Sequence, residues 1–256
     1  MCRDALKDCL VYKKYNVACR RPYRKVEAFE PGEMIAIDIM GPINNHYILT
    51  AIDYFSRKAW AKRIMSRKTE NILHFVKNIN NQLKIKTLIC DEARENIGGF
   101  IRRWAEQEGI KIHSITPYHH QSNGKLERFH RTLMEGINKA KSRGSYDERI
   151  KNVVETYNTT WHSAIKMSPN NAMDPSTWTE LKNRAYKNIM KQENPNYPIL
   201  KNGQKVLVQK DPQRKKNEPR FDKEGTVLEA LGFDTYLIKI EGKRKIKCHA
   251  VQLKAL

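Results

Sequence analysis

The stretch Met34-Ile-Ala-Ile-Asp38-Ile-Met40-Gly-Pro42 decides the interpretation of this chain. Its apolar residues surround one carboxylate, and an apolar run bounded by a Gly-Pro turn is typical of a buried β-strand. A carboxylate in the middle of such a strand is costly to bury unless it is paired with a cation or binds a metal. Asp38 is therefore the first residue that is expected to pair with a cation or to bind a metal.

Strand and helix patterns alternate after this segment and predict a mixed α/β domain. Strands are predicted at 46–55, 58–65, 87–90 and 111–116. Apolar residues at helical spacing predict helices at 69–82, 99–108, 146–162 and 177–191, and a long helix with an apolar stripe from Leu126 to Ala140. From residue 203 onward, short strand patterns at 205–209, 225–231, 235–240 and 245–250 predict a small antiparallel β module.

The positive charge of the chain is concentrated at its two ends. The chain holds 48 Lys and Arg against 28 Asp and Glu, a net charge of +20. Residues 31–179 carry +7, whereas the shorter segments 1–30 and 180–256 carry +4 and +9. This distribution predicts a polyanionic partner and suits a central chemical domain held on nucleic acid by its flanks. The alternative is a basic surface that serves only solubility.

Several classes of protein are excluded by simple patterns. No apolar stretch reaches the roughly 18 residues of a membrane span, and the charged first ten residues predict no secretory signal. The five cysteines are odd in number and scattered, which argues against a disulfide framework: Cys2, Cys9, Cys19, Cys90 and Cys248. We therefore expect a soluble intracellular protein.

Two further acids stand at the ends of predicted elements. Asp91 ends a short apolar strand, and Glu127 lies in the first turn of the long helix. If these elements are neighbours, both acids converge with Asp38, and divalent cations such as Mg²⁺ or Mn²⁺ would neutralise the crowded carboxylates. Two such ions activate a water or hydroxyl and stabilise the leaving oxygen of a phosphodiester. The alternative is three unrelated acids: an Arg-paired Asp38, a turn-capping Asp91 and a Glu127 favoured by the helix dipole.

The spacing of the last two acids points to one family. Between Asp91 and Glu127 lie 35 residues, and this arrangement resembles the D, D-35-E active site of retroviral and Ty3/gypsy-type retrotransposon integrases. The segments that carry the resemblance are 37–42, 49–57, 117–128, 157–160 and Ser168-Pro169. Together they cover about residues 33–175, that is, most of the predicted α/β domain.

The resemblance implies a fold and a domain order. The implied fold is ribonuclease H-like, with a mixed five-stranded sheet flanked by helices, plus a small C-terminal SH3-like β-barrel. The implied segments are a degenerate remnant of an N-terminal zinc module at 1–32, an integrase catalytic core at 33–176, a helical linker at 177–198 and an SH3-like DNA-binding module at 199–256.

The resemblance also implies an activity. It is DNA integration by a polynucleotidyl transferase and endonuclease, which processes 3′ ends of element DNA and transfers them into target DNA. Two Mg²⁺ or Mn²⁺ ions would be held by Asp38, Asp91 and Glu127. The implied partners are double-stranded DNA, further copies of the chain and chromatin, with no membrane, and the implied location is the nucleus after synthesis in the cytoplasm.

Departures from the family pattern keep another function open. Ala93 stands where the family usually has glycine, and Asn96 stands where it has an aromatic residue. They favour the alternative of a catalytically inactive or domesticated integrase-derived protein that binds DNA or chromatin. A general ribonuclease H-like nuclease fits the acids but not the other motifs.

The N-terminal segment departs further from the family. The family carries two histidines and two cysteines before its core, whereas the first histidine here is His46 and Tyr12 stands where a second cysteine would follow Cys9. No zinc is therefore expected within this chain. Metal binding by Cys2, Cys9 and Cys19 is the alternative.

Candidate DNA contacts lie near Glu127 and in two basic C-terminal clusters. Arg131 shares the helical face of Glu127, so it is placed to reach a phosphate; an intrahelical pair with Glu127 is the alternative. The full set is His120, Gln121, Asn123, Lys125, Arg128, Arg131, Arg214, Lys215, Lys216, Lys243, Arg244 and Lys245. The C-terminal clusters fit phosphate contacts or a nuclear localisation signal, with solvated loops as the alternative.

Two other groups are interpreted as structural. Asp53 stands on the second predicted strand and is expected to have a structural role or to pair with Arg57. The tryptophans Trp60, Trp104 and Trp161 are expected in the core rather than as platforms for base stacking.

Overall fold

The computed structural model describes most of the 256-residue chain, in two compact units. The described residues are 9–15, 26–43, 45–91, 98–115, 124–140, 144–190, 199–209, 218–232, 234–240, 242 and 245–256. The larger unit is Glu27–Lys191, and the smaller is formed by Met1–Val26 and Gln192–Leu256. None of the described helices is long and apolar enough to cross a lipid bilayer.

The larger unit is built on a five-stranded sheet with strand order β3-β2-β1-β4-β5. Its strands are β1 (Met34–Ile43), β2 (His46–Asp53), β3 (Ala59–Ile64), β4 (Thr87–Asp91) and β5 (Lys111–Ile115). β1 pairs antiparallel with β2 and parallel with β4, so the sheet is mixed, as predicted. β1 is buried on both faces, because its residues Ile35, Ala36 and Ile37 are almost inaccessible to solvent. A strand of this kind needs a nearly continuous apolar run, as residues 34–40 provide.

Helices flank this sheet, and each of those predicted from apolar spacing is present. The α-helices of the described residues are α1 (Leu10–Tyr15) in the smaller unit and α2 (Thr69–Leu83), α3 (Gly98–Gln107), α4 (Gly124–Lys139), α5 (Tyr146–Thr159) and α6 (Trp178–Met190) in the larger unit. The predicted stripe of α4 is its buried face: Leu126, Phe129, Leu133 and Ile137. α5 ends three residues earlier than predicted, because Thr160 is already extended.

A buried asparagine fastens α5 to the start of β3. Asn158 Oδ1 accepts a hydrogen bond from the backbone N–H of Ala59 at 2.9 Å, and Asn158 Nδ2 donates one to the carbonyl oxygen of Ala59 at 2.9 Å. One amide side chain thus satisfies both backbone groups of a residue on the edge strand. This double contact gives a structural reason for the asparagine of the 157–160 motif.

The smaller unit contains a second sheet of five strands, paired antiparallel in the order β10-β6-β7-β8-β9. Its strands are β6 (Lys205–Gln209), β7 (Phe221–Gly232), β8 (Thr235–Ile240), β9 (Lys245–His249) and β10 (Leu253–Ala255). Within the described residues this sheet is open, with β10 and β9 as its two edges. The barrel implied by the family resemblance is therefore not confirmed.

Two parts of this second sheet were not predicted. β7 begins at Phe221, four residues before the predicted start. β10, a strand of only three residues, was not predicted. The first residues of β7 include Asp222, Lys223 and Glu224, and such a charged segment carries no strand signal by itself. Contacts with other segments stabilise this part of the strand. Glu224 lies 3.5 Å from the ammonium of Lys14 on α1, and β7 pairs with β6.

We expect Asn158→Leu to destabilise the protein by about 2–4 kcal/mol, since it removes two buried hydrogen bonds and leaves the N–H and C=O of Ala59 unpaired. Denaturant-induced unfolding measures the change. Asn152→Leu, on the exposed face of the same helix, is the matched control and should change the free energy of unfolding by less than about 0.5 kcal/mol. Equal effects of the two substitutions would contradict the role given to Asn158.

Candidate active site

Asp38 and Asp91 lie on neighbouring parallel strands at the same end of the first sheet. The pairing of β1 with β4 aligns Met34 with Thr87 and Ala36 with Ile89. Two residues further along, the same register aligns Asp38 with Asp91, the last residue of β4. Neighbouring strands lie about 4.8 Å apart, so the backbones of the two acids are adjacent. The side chain of Asp91 lies outside the described part of the chain.

Asp38 is held in place by its neighbours on β1 and β2. Its Oδ1 accepts a hydrogen bond from the backbone N–H of Ile39 at 2.8 Å. Its carbonyl oxygen accepts one from the hydroxyl of Thr50, the residue opposite it on β2, at 3.0 Å. The side chain of Asp38 is 24% exposed, so it is less deeply buried than the apolar run predicted and is open to a ligand.

Helix α4 brings Glu127 to this part of the sheet. Glu127 lies in its first turn and is exposed, and His130 follows one turn later on the same face. His130 Nε2 lies 2.7 Å from Thr50 Oγ1, and His130 Nδ1 lies 4.0 Å from Asp38 Oδ2. The helix face that carries Glu127 is therefore turned towards Asp38.

Sequence reasoning missed His130 and Thr50. His130 follows Glu127 by three positions, so helical spacing could have predicted that the two residues share one face of α4. The position of Thr50 could not be predicted from the sequence, because only the antiparallel register of β1 and β2 shows that it lies opposite Asp38.

The side chain of Lys125, predicted to contact DNA, is only 11% exposed. Its Nζ donates a hydrogen bond to Glu27 Oε2 at 3.0 Å and lies 4.2 Å from the centroid of the Tyr54 ring. Burial lowers the pKa of Lys125 to about 7, and the charge of Arg57 adds to this effect while Glu27 opposes it. Lys125 thus forms an internal ion pair with Glu27 instead of the predicted contact with DNA.

Glu27 is the centre of a buried polar cluster. Besides Lys125, it accepts hydrogen bonds from Arg57 at 3.5 Å and from Asn188 Nδ2 at 3.1 Å. These residues come from the segment before β1, the turn after β2, the first turn of α4 and α6. The cluster therefore fixes the beginning of α4, two residues before Glu127.

Asp53 is structural, as expected: Arg57 donates its backbone N–H to the carbonyl oxygen of Asp53 at 2.9 Å, and the carboxylate of Asp53 has other partners. Its Oδ1 accepts from the N–H of Gly32 at 3.1 Å, and its Oδ2 accepts from the N–H and the hydroxyl of Ser56 at 2.8 and 2.6 Å. Burial raises the pKa of Asp53. Gly32 has a φ of +77°, and a Cβ at this position would collide with the carbonyl oxygen of Leu83, so the close approach requires glycine.

The tryptophans divide into two groups. Trp104 is buried and Trp60 packs against the core, as expected. The expectation for Trp161 was wrong: it is 58% exposed, and its ring lies 5.1 Å from the ammonium of Lys166. The early end of α5 explains the difference, because Trp161 no longer belongs to the helix whose period was extended over it.

The remaining predicted DNA contacts are distributed as follows. Arg128 and Arg131 are exposed on α4, and the Nε of Arg128 donates to the carbonyl oxygen of Gly124 at 3.0 Å. Lys245 is exposed at the start of β9. The others lie outside the described residues: His120, Gln121, Asn123, Arg214, Lys215, Lys216, Lys243 and Arg244.

The chemistry of the donor set fits a divalent cation. Asp38 and Glu127 offer carboxylate oxygens, and the backbone of Asp91 stands beside that of Asp38. Carboxylates are the ligands that Mg²⁺ and Mn²⁺ prefer. Among the described side chains, which exclude that of Asp91, no group of three or more His, Cys, Asp or Glu forms a metal site by itself.

Comparison with known proteins agrees with the fold and the motifs. Residues 108–169 match the family described as integrase core domain. Over 149 residues, the chain is 32% identical to the retrovirus-related Pol polyprotein from transposon gypsy of Drosophila melanogaster. That match covers 56% of this chain but 14% of the polyprotein, so the chain spans only a small part of its relative.

Two solved structures share the fold. The simian T-cell lymphotropic virus intasome, solved in complex with PP2A regulatory subunit B56 gamma, superposes with a TM-score of 0.73 at 14% identity, covering 99% of this chain and 89% of that one. The catalytic core domain of BIV integrase superposes with a TM-score of 0.51 at 17% identity, covering 58% and 98%. At such identities the likeness establishes the fold alone. The sequence matches confirm the resemblance carried by the motifs: the chain is similar to gypsy-type and retroviral Pol proteins, and its residues 108–169 match the integrase core domain.

Proposed function

We propose that this chain acts on DNA as an integrase that processes 3′ ends and transfers them into a target duplex. The observation that carries the proposal is the register that aligns Asp38 with Asp91, on strands against which α4 presents the face of Glu127. The relationship to gypsy-type and retroviral integrases supports the same reaction class.

The proposed chemistry uses a pair of divalent cations, Mg²⁺ or Mn²⁺, held by Asp38, Asp91 and Glu127. Bound there, they would activate a water or a DNA 3′-hydroxyl and neutralise the charge on the leaving oxygen. The protein's own contribution is orientation. The N–H of Ile39 holds one carboxylate oxygen of Asp38, and the Glu27 cluster holds the first turn of α4 beneath Glu127.

DNA contacts near the site are assigned to Arg128 and Arg131. Both are exposed on α4, close to Glu127, where a guanidinium group could bind a phosphate of the DNA end. For His120, Gln121 and Asn123, which precede this helix in the sequence, contact with the terminal nucleotides remains a prediction.

A row of lysines crosses the second sheet and supports a DNA-binding role for the smaller unit. The strand registers align Lys205 with Thr226, Thr226 with Lys239, and Lys239 with Lys245. Residues directly opposite each other share a face of the sheet, and the three lysines are exposed. Like charges side by side repel one another, so an anionic partner such as a phosphate backbone relieves this repulsion.

The SH3-like form of the smaller unit is part of the same proposal. Its five antiparallel strands and the register shifts between Val227 and Glu229 and between Ala230 and Gly232, which bend β7, support a curved sheet. Assembly into a multimer on double-stranded DNA, association with chromatin, and a nuclear location are proposed from the family relationship.

We expect Asp38→Asn and Glu127→Gln each to lower strand transfer by about 100-fold or more, because each removes a charged metal ligand from the reacting centre. The assay follows joining of labelled oligonucleotides in Mg²⁺ or Mn²⁺. Glu135→Gln, an exposed change on the same helix α4, is the control and should retain the rate of the unchanged protein.

Two results would contradict the catalytic proposal. The first is joining at the same rate by the unchanged protein and by Asp38→Asn. The second is tight DNA binding with no joining or nicking, which would instead support the alternative of an integrase-derived DNA-binding protein.

We expect substitution of Lys205, Lys239 and Lys245 by Gln to weaken DNA binding and to flatten its salt dependence. The slope of log K against log[salt] should fall by about 0.9 for each phosphate that the protein no longer neutralises. Fluorescence anisotropy over a salt series measures the slope. The matched control replaces the exposed lysines Lys62, Lys77 and Lys151 of the larger unit. If both triple variants show the same slope, the lysine row is not part of the DNA-binding surface.

A further inference from the structure

The hydroxyl of Thr50 has hydrogen-bond partners on two different elements. It donates its proton across 3.0 Å to the carbonyl oxygen of Asp38 on β1, which can only accept. Thr50 Oγ1 has no second proton, so its contact with His130 Nε2 on α4, across 2.7 Å, is a hydrogen bond in which Nε2 is the donor. One hydroxyl thus joins the strand that carries Asp38 to the helix that carries Glu127.

Packing alone does not call for a threonine at position 50. Thr50 is fully buried on β2, between the buried apolar residues Leu49 and Ala51. Valine has nearly the same shape, is equally suited to a strand and has no polar group to desolvate. What the threonine adds to the sheet is a donor and an acceptor at one point.

This point lies between the candidate metal ligands. Thr50 is opposite Asp38 in the register of β1 and β2. His130 follows Glu127 by one turn on the same face of α4. A movement of α4 away from β2 breaks the contact between Thr50 and His130, so this contact limits how far Glu127 can move from Asp38.

We propose that Thr50 and His130 are positioning residues for the joining reaction, and that their contact holds Asp38 and Glu127 at the separation that a pair of cations requires. This inference rests on the proposed function, because that function assigns the cations. Partners that orient metal ligands commonly contribute about 10- to 100-fold to metal affinity or activity. A displacement of about 1 Å in the reacting groups can lower a rate by about 100-fold.

The test compares variants of the full chain that differ by one hydrogen-bonding group. Thr50→Val removes the hydroxyl and Thr50→Ser keeps it. His130→Phe removes the ring N–H, and His130→Gln keeps an N–H donor. His130 is only half-buried, so its variants test the contact even if Thr50→Val does not fold. Thr159→Val is the control, since Thr159 is exposed on α5 and its hydroxyl donates to Glu155 O of the same helix at 2.9 Å.

We expect Thr50→Val and His130→Phe each to slow joining at saturating DNA by about tenfold, with the Kd for DNA changed by less than roughly twofold. Each should also raise the Mn²⁺ or Mg²⁺ concentration that gives half of the maximal rate. Thr50→Ser and His130→Gln should recover most of the rate. The double variant Thr50→Val/His130→Phe should be no slower than the single variants, because both remove the same contact. Thr159→Val should change none of these quantities.

Nuclear magnetic resonance of protein labelled with ¹⁵N-histidine tests the contact without any activity. The ring signals of His130 are identified by their loss in His130→Gln. We expect a proton on Nε2 that exchanges slowly with water in the unchanged protein, because Thr50 accepts it in a buried place. Thr50→Val should lose this slow exchange, and Thr50→Ser should keep it.

Failure of this inference and failure of the proposed function give different results. If Thr50→Val and His130→Phe join DNA at the unchanged rate, or if Thr50→Ser is as slow as Thr50→Val, the contact does not position the site and the inference is overturned. Fully additive effects in the double variant, or rapid exchange of the Nε2 proton in the unchanged protein, also overturn it. If the unchanged protein and Asp38→Asn join DNA equally, the catalytic proposal itself is wrong.

Discussion

The parallel pairing of β1 with β4 is the constraint on which the candidate site depends. The register of this pair, continued two residues beyond Ala36 and Ile89, aligns Asp38 with Asp91, so the distance between the backbones of the two acids is set by the spacing of strands. The pairing is stable because β1 is apolar on both faces, and its residues Ile35 and Ile37 are buried. A shift of one residue in register would turn every side chain to the opposite face. The apolar run thus fixes the position of the one acid within it.

Three sets of contacts hold helix α4 on this sheet. Leu126 and Phe129 bury its apolar face, the ion pair of Lys125 with Glu27 holds its first turn, and the contact of His130 with Thr50 joins it to β2. Sliding or rotation of the helix would break all of these contacts together. Glu127 is exposed, yet its backbone is as firmly placed as a residue of the core.

The sequence was informative where a pattern is local. The strand around Asp38, the stripe of α4 and the structural role of Asp53 all follow from residues close together in the chain. The contact between Lys125 and Glu27 spans 98 positions, so the basic side chain next to Glu127 could not be distinguished from a DNA contact. The same limit explains β7, whose charged first residues become a strand through pairing with β6, and Trp161, which lies beyond the true end of α5.

The Glu27 cluster has a consequence for the order in which the chain folds. Its contacts join positions separated by 98 and 161 residues, and such long loops must close before these contacts contribute. The first turn of α4 therefore gains its ion partner only when the segment before β1 has docked beside it, and Asn188 of the distant helix α6 completes the cluster. Until that contact forms, the first turn of α4, which carries Glu127, lacks this anchor, although β1 and β4 can already align Asp38 with Asp91. The candidate site of the larger unit is thus complete only after contacts between segments distant in the sequence have formed.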